Sequence, residues 1–154
     1  MVPSEDEVIS DLMGSIRAYG RGAKRALRYQ LEDDYGALFP TKSKTWLIPK
    51  SVAAQERLDA SGFKGKHLHG SLVAIGLTYE HMVPLSVLGS LLVGAQDNPQ
   101  EVKRILKDYY QVCWLTKEED GKLNGLGLKS KMPDGWKDGD PLDARYRHAR
   151  IEIP

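Results

Sequence analysis

The chain has 154 residues, with 22 lysines and arginines against 21 aspartates and glutamates, and one cysteine. This length is typical of one domain that buries most of the apolar surface its unfolded state exposes. A lone cysteine excludes an internal disulfide and a four-cysteine zinc site, and apolar neighbours predict that Cys113 is a small buried residue. We therefore predict a single domain over residues 1–154 that folds without crosslinks.

Charge and hydropathy limit the location and the partners of the protein. The first residues are acidic where a secretory signal would be basic, and the apolar runs are too short to cross a membrane. We therefore expect a cytoplasmic protein with no membrane partner. The net charge of +1 is unevenly distributed, because residues 14–50 carry eight lysines and arginines against three acids. This excess is compatible with a nucleic-acid partner.

The first predicted element is a helix over residues 5–31, where apolar residues recur every three or four positions. Glycines leave a break near Tyr19 and Gly20 as an alternative, because glycine costs about 1 kcal/mol relative to alanine inside a helix. On a continuous helix, five cations would lie within an arc of about 100°. We interpret this stripe as a phosphate-binding surface, with a solvated face as the alternative. Its members are Arg17, Arg21, Lys24, Arg25 and Arg28.

The middle of the chain is predicted to alternate short strands and helices. In chain order the prediction gives a strand at 46–48, a helix from the N-cap Ser51 to about residue 62, a loop at 63–70, a strand or hairpin arm at 71–84, a helix at 85–93, a helix beginning at Asn98 and Pro99, and a strand at 111–115.

The last third of the chain begins with a clear helix signal. Thr116 and Glu119 match a capping box, so a helix should start there and end near Gly125. Residues 129–141 are rich in glycine, proline, aspartate and lysine and are predicted to form a loop. The basic tail that follows offers Arg145 and Arg147 as further contacts to nucleic acid.

Two short runs carry most of the chemical information. The run EHMVP at 80–84 places an acid and a histidine at the end of a predicted strand, just before a proline that should end it. Further along, the predicted strand at 111–115 leads into a helix that opens with the acidic cluster EED at 118–120.

Together these features resemble the HNH, or ββα-metal, endonucleases. In that family the motif opens with Asp-His or Glu-His at the end of a first strand, often followed by a hydrophobic residue and proline. The resemblance covers about residues 71–128. It implies an α+β fold with a small ββα-metal core flanked by helices, a mainly helical basic region at 1–62, and a basic loop and tail at 129–154.

The resemblance also implies metal-dependent hydrolysis of phosphodiester bonds, with DNA preferred over RNA as substrate. Glu80 would be a metal ligand, and His81 would be the general base that takes a proton from the attacking water. The second ligand would be Glu119 or Asp120, and Asp120 is preferred because the capping box turns Glu119 back onto Thr116. The ion would be Mg²⁺ or Mn²⁺, and symmetric cleavage of a palindrome would need a homodimer.

Other interpretations stay open at this point. The domain could bind nucleic acid or protein without catalysis, with Glu80 and His81 as a structural pair. His67 and His69 have a spacing that a transition metal could use, although loop residues near solvent or phosphate are the simpler interpretation. Trp136, in a polar loop, is a candidate for stacking on a base. The sequence has no phosphate-binding glycine loop and no nucleophile elbow.

Overall fold

The structure, a computed structural model, describes residues 3–38 and 47–154. Helices make up most of these ranges, and two short strands pair with each other. In chain order the elements are α1 (Glu5–Gly20), α2 (Arg25–Gln30), a π-helical segment (Leu31–Tyr35), α3 (Gly36–Leu38), α4 (Val52–Ala60), α5 (His69–Ala74), β1 (Leu77–His81), α6 (Leu85–Gly94), α7 (Pro99–Tyr109), β2 (Val112–Thr116), α8 (Lys117–Gly125) and α9 (Ala144–His148). The predicted α+β class is confirmed.

Strands β1 and β2 form a two-stranded antiparallel sheet in which Leu77 lies opposite Thr116. All five residues of β2 are buried. Along the other edge of β2, Lys50 pairs with Trp114 in an isolated parallel bridge. This bridge replaces the strand predicted at 46–48, since residues 47 and 48 form no strand and Trp46 lies outside the described residues.

Buried side chains form three groups around this sheet. The largest joins α1, the π-helical segment, α6 and α7. The other two groups lie on opposite faces of β2, because successive side chains of a strand point in opposite directions. Cys113 and Leu115 pack with α8 and α9, whereas Val112 and Trp114 pack with α4 and α5. Burial raises the pKa of Cys113 to about 12, which agrees with the predicted buried thiol.

The N-terminal helix is interrupted near the predicted break. Helix α1 ends at Gly20, and a turn leads into α2, which begins at Arg25. Gly22 in this turn has a φ of +97°, a conformation that side chains with a Cβ rarely adopt. One continuous helix over 5–31 is therefore wrong, and the five cations of that region do not share one helical face.

The strand predicted over 71–84 is wrong in its first part. Residues up to Ala74 belong to α5, and Gly76, at a φ of +93°, separates this helix from β1. Val73 favours a strand by its β-branched side chain, but a helix lets Leu72 reach the core, where it is fully buried. Packing therefore decides the local structure here.

Other boundaries follow the predicted caps. Ser51 caps α4, Asn98 caps α7, and Thr116 forms the predicted capping box of α8 with Glu119. Residues 129–141 contain no helix or strand, and the basic tail contains α9. Among the described helices, none has the length and apolar character needed to cross a membrane.

Candidate functional site

The end of β1 carries the two residues on which the sequence interpretation depends. Strand β1 continues through His81, so the side chains of Glu80 and His81 leave the strand on opposite faces. Glu80 contacts Arg145, from α9, and His81 lies near Glu32, from the π-helical segment. The structure therefore does not bring the expected ligand and the expected base onto one face.

Arg145 is the buried residue that holds Glu80 and the backbone around it by hydrogen bonds. Its side chain is fully buried, and its guanidinium donates to the carbonyls of Met82 at 3.1 Å, of Leu128 at 2.7 Å and of His81. It also donates to the carboxylate of Glu80. The prediction that Arg145 contacts nucleic acid is therefore wrong, because all of these donors point into the protein.

The pKa of the Glu80 carboxylate is raised in spite of this partner. Burial raises the pKa of Glu80, while Arg145 lowers it and the nearby charge of Asp120 raises it further. Asp120 is half-buried in the first turn of α8 and makes no hydrogen bond or ion pair with the described residues. Glu80 therefore has one guanidinium partner, that of Arg145, and also feels the negative charge of Asp120.

Glu119 has a different environment from that of Asp120. Its carboxylate accepts a hydrogen bond from the hydroxyl of Ser51 at 2.5 Å and from the amide of Thr116 at 2.9 Å. Ser51 is fully buried, so Glu119 joins the start of α8 to the start of α4. This structural role agrees with the preference for Asp120 as the metal ligand.

The Glu80 and Asp120 pair fits a hard divalent ion in the number and type of its donors. Mg²⁺ is usually held by one or two carboxylates together with water and substrate phosphates. Burial raises the pKa of Glu80 more than the neighbouring guanidinium of Arg145 lowers it. No cluster of three or more His, Cys, Asp or Glu side chains that could hold a metal exists within residues 3–38 and 47–154. A closed transition-metal site is therefore not supported there.

On the opposite face, His81 is held by aromatic and acidic neighbours. Its Nε2 lies 3.5 Å from a carboxylate oxygen of Glu32, and the two side chains are 17% and 13% exposed. The imidazole also packs against Tyr79 and Tyr110, with ring centres 5.6 and 5.8 Å away. Burial and the charge of Glu32 raise the pKa of Tyr110. Sequence reasoning missed this role of Glu32, which lies in the π-helical segment, far from His81 along the chain.

An open cleft of about 320 Å³ lies above His81 and Glu32. We name it the histidine cleft; its main polar lining residues are Arg28, Glu32, His69, Tyr79, His81 and Lys117. The ring of His69 is 5.4 Å from that of Trp114 and 5.6 Å from that of Tyr79. His67 lies instead against Phe63, at 6.0 Å between ring centres. Of these two histidines, His69 lines the cleft, and it is the first residue of α5 rather than part of the predicted loop.

The remaining cations predicted to contact nucleic acid are spread over several surfaces. Arg17 lies 3.7 Å from Asp97 and Arg147 lies 2.8 Å from Asp143. Lys24 and Arg25 lie over the rings of Tyr19 and Tyr29, and Arg21 is exposed in the turn after α1. Arg28 is the member of the original five that lines the histidine cleft. The structure thus places one of the predicted cations beside His81.

Trp136, the residue predicted to stack on a base, makes contacts within the protein. Its indole nitrogen donates to the carbonyl of Pro141 at 2.9 Å, and its ring packs on Tyr109 with centres 5.6 Å apart.

Comparisons with protein-family models, curated proteins and solved structures gave no match. The functional argument therefore rests on the residues of this chain.

Proposed function

We propose that the protein is a metal-assisted nuclease that hydrolyses phosphodiester bonds in DNA. The observation that supports this proposal is the order β1, β2, α8, in which Glu80 precedes His81, the last residue of β1, and interacts electrostatically with Asp120 in the first turn of α8. An acid and a base at one strand end, with a second acid near the first, are groups that hydrolysis can use.

In this proposal the residues divide the chemistry between them. Glu80 and Asp120 would hold Mg²⁺ or Mn²⁺, which supplies positive charge to stabilise the phosphate oxygens when bound. His81 takes a proton from the attacking water through its imidazole. A carboxylate oxygen of Glu32 lies 3.5 Å from the Nε2 of His81 and would help to orient the imidazole. Because Glu80 and His81 lie on opposite faces, this division of roles requires the scissile phosphate to lie across the end of β1.

The proposal is tested by incubating plasmid DNA with the purified protein and Mg²⁺ or Mn²⁺, with EDTA as the metal-free control. We expect cleavage that requires metal, and a loss of about 100-fold or more in His81→Ala, since general-base catalysis typically contributes that much. His148→Ala is the matched control, because His148 is exposed on α9. Metal-dependent cleavage by wild type that His81→Ala retains would contradict the assignment of the base.

A non-catalytic nucleic-acid-binding domain is the second candidate. The fully buried Arg145 favours it, because a guanidinium that satisfies Glu80 and several carbonyls is a structural element. This candidate predicts salt-sensitive binding of DNA or RNA, with no cleavage in either metal and no effect of His81→Ala on binding. A homodimer belongs to the nuclease proposal only if both strands of a palindrome are cut in one event.

A further inference from the structure

The histidine cleft has positive charge at its rim and negative charge at its floor. Arg28, from α2, and Lys117, from the start of α8, are both exposed, and neither has an ion pair with the described residues. Glu32 lies deeper, with its side chain 13% exposed and close to His81. An anion that enters the cleft therefore meets two uncompensated cations before it meets the carboxylate.

The other walls of the cleft favour a small anion over a loosely bound counterion. Val73, which is 38% exposed, supplies apolar surface, which reduces dielectric screening of the charges nearby. The packing of His69 on Trp114 and Tyr79 fixes the position of its imidazole at the wall. Cations from two different helices and a fixed imidazole thus converge on one space of about 320 Å³.

We propose that the histidine cleft is a phosphate-binding subsite. The guanidinium of Arg28 matches two phosphate oxygens, and Lys117 acts as a point charge. The ligand is a backbone phosphodiester of a nucleic-acid strand, next to the scissile phosphate; this identification rests on the proposed nuclease function. The strand would thereby be held on the His81 face while Glu80 and Asp120 act from the other face.

The test is an NMR titration of ¹⁵N-labelled protein without metal, using three probes: inorganic phosphate, thymidine 5′-monophosphate and a thymidine tetranucleotide. We expect all three to shift the amide signals of Arg28, His69 and Lys117. The tetranucleotide, which contains phosphodiesters, should bind more tightly than the monophosphate. Inorganic phosphate shows whether the cleft binds the phosphate group itself, without a nucleoside.

Matched variants identify the binding groups. Arg28→Gln and Lys117→Gln should each weaken inorganic phosphate binding about tenfold, as expected for loss of one charge-assisted hydrogen bond. Lys122→Gln, one turn further along α8, and Arg150→Gln should leave it unchanged, because both side chains are exposed and lie outside the cleft lining. Circular dichroism of each variant verifies that the fold is retained.

Several outcomes would overturn the subsite. The subsite is refuted if phosphate shifts no amide signal of the cleft residues. It is also refuted if Lys122→Gln and Lys117→Gln weaken phosphate binding equally. Tighter binding of the monophosphate than of the tetranucleotide removes the assignment to a nucleic-acid backbone. The titration needs neither metal nor cleavage, so phosphate binding by an inactive protein would refute the nuclease and retain the subsite. Cleavage without phosphate binding in the cleft would support the nuclease and refute the subsite.

Discussion

The two faces of β1 differ in how they compensate charge. On one face, Glu80 is half-buried against Arg145, whose donors are used by carbonyls and by this carboxylate. On the other face, His81 and Glu32 form the floor of an open cleft, with Arg28 and Lys117 exposed at its rim. The first arrangement fixes the fold, and the second leaves charges available to a ligand.

This difference shows that adjacent residues of one strand can have separate roles. Removing a buried charge leaves its partner unsatisfied in a medium of low polarity, which is costly. Removing an exposed cation beside a cleft changes binding far more than stability. We therefore expect variants of the Glu80 face to act on folding first, and variants of the histidine cleft to act on ligands first.

The largest expected effect is that of Arg145→Ala. The substitution leaves Glu80 without its cation and the carbonyls of Met82 and Leu128 without donors. We expect the free energy of unfolding to fall by about 3–5 kcal/mol, as is typical when one partner of a buried ion pair is lost. Urea unfolding followed by circular dichroism measures this change.

Arg147→Ala is the control for that measurement, because Arg147 lies on the same short helix with its side chain 68% exposed. Its effect should stay within about 0.5 kcal/mol. Equal stability of the two variants would show that Arg145 does not hold the Glu80 face together. The comparison of the two faces would then lose its basis.

A smaller effect is expected for Glu119→Ala. The substitution removes the acceptor for the buried hydroxyl of Ser51 and for the amide of Thr116. We expect a loss of about 1–3 kcal/mol in the free energy of unfolding, the typical cost of leaving buried donors unsatisfied. Thermal unfolding of Glu119→Ala beside Glu118→Ala measures this difference, since Glu118 is exposed and pairs with Arg57 at the surface.

The Glu119 variants also sharpen the choice of metal ligand. Glu119→Gln keeps an acceptor and should be more stable than Glu119→Ala. If Glu119→Ala unfolds like Glu118→Ala, the carboxylate of Glu119 is not a structural link between α8 and α4. It would then become available as a ligand, and the preference for Asp120 would no longer stand.

The smallest expected effect is the stabilisation of the native protein by metal. Mn²⁺ at ten times its dissociation constant should add about 1.4 kcal/mol to the free energy of unfolding, because binding to the native state shifts the equilibrium. Asp120→Ala should lose this increment, whereas Asp134→Ala, an exposed loop variant, should keep it. Differential scanning calorimetry with and without Mn²⁺ measures the increment for each protein.

The same increment in Asp120→Ala and in wild type would place the ion elsewhere. No increment in wild type would remove the metal from the Glu80 face and leave its carboxylates as structural groups. Either result is independent of any assay of cleavage.

Part of the candidate site could be predicted from the sequence, because its members are close along the chain. Glu80 and His81 are adjacent, and Asp120 follows a strand and a cap that are both recognisable. The residues of the histidine cleft could not be grouped in this way. Arg28 and Lys117 are far apart in sequence, and Glu32 reaches His81 through a π-helical segment, a rare conformation without a clear sequence signal.

The sequence by itself determined where several helices begin, since a cap such as Thr116 is satisfied by a residue three positions away. Apolar periodicity also predicted a chain that mixes helices and short strands. Only the tertiary structure decided that Arg145 is buried and that the two faces of β1 differ. Arg145 and Glu80 are 65 positions apart, and a hydrogen bond of that range depends on how the elements pack, which no local pattern encodes.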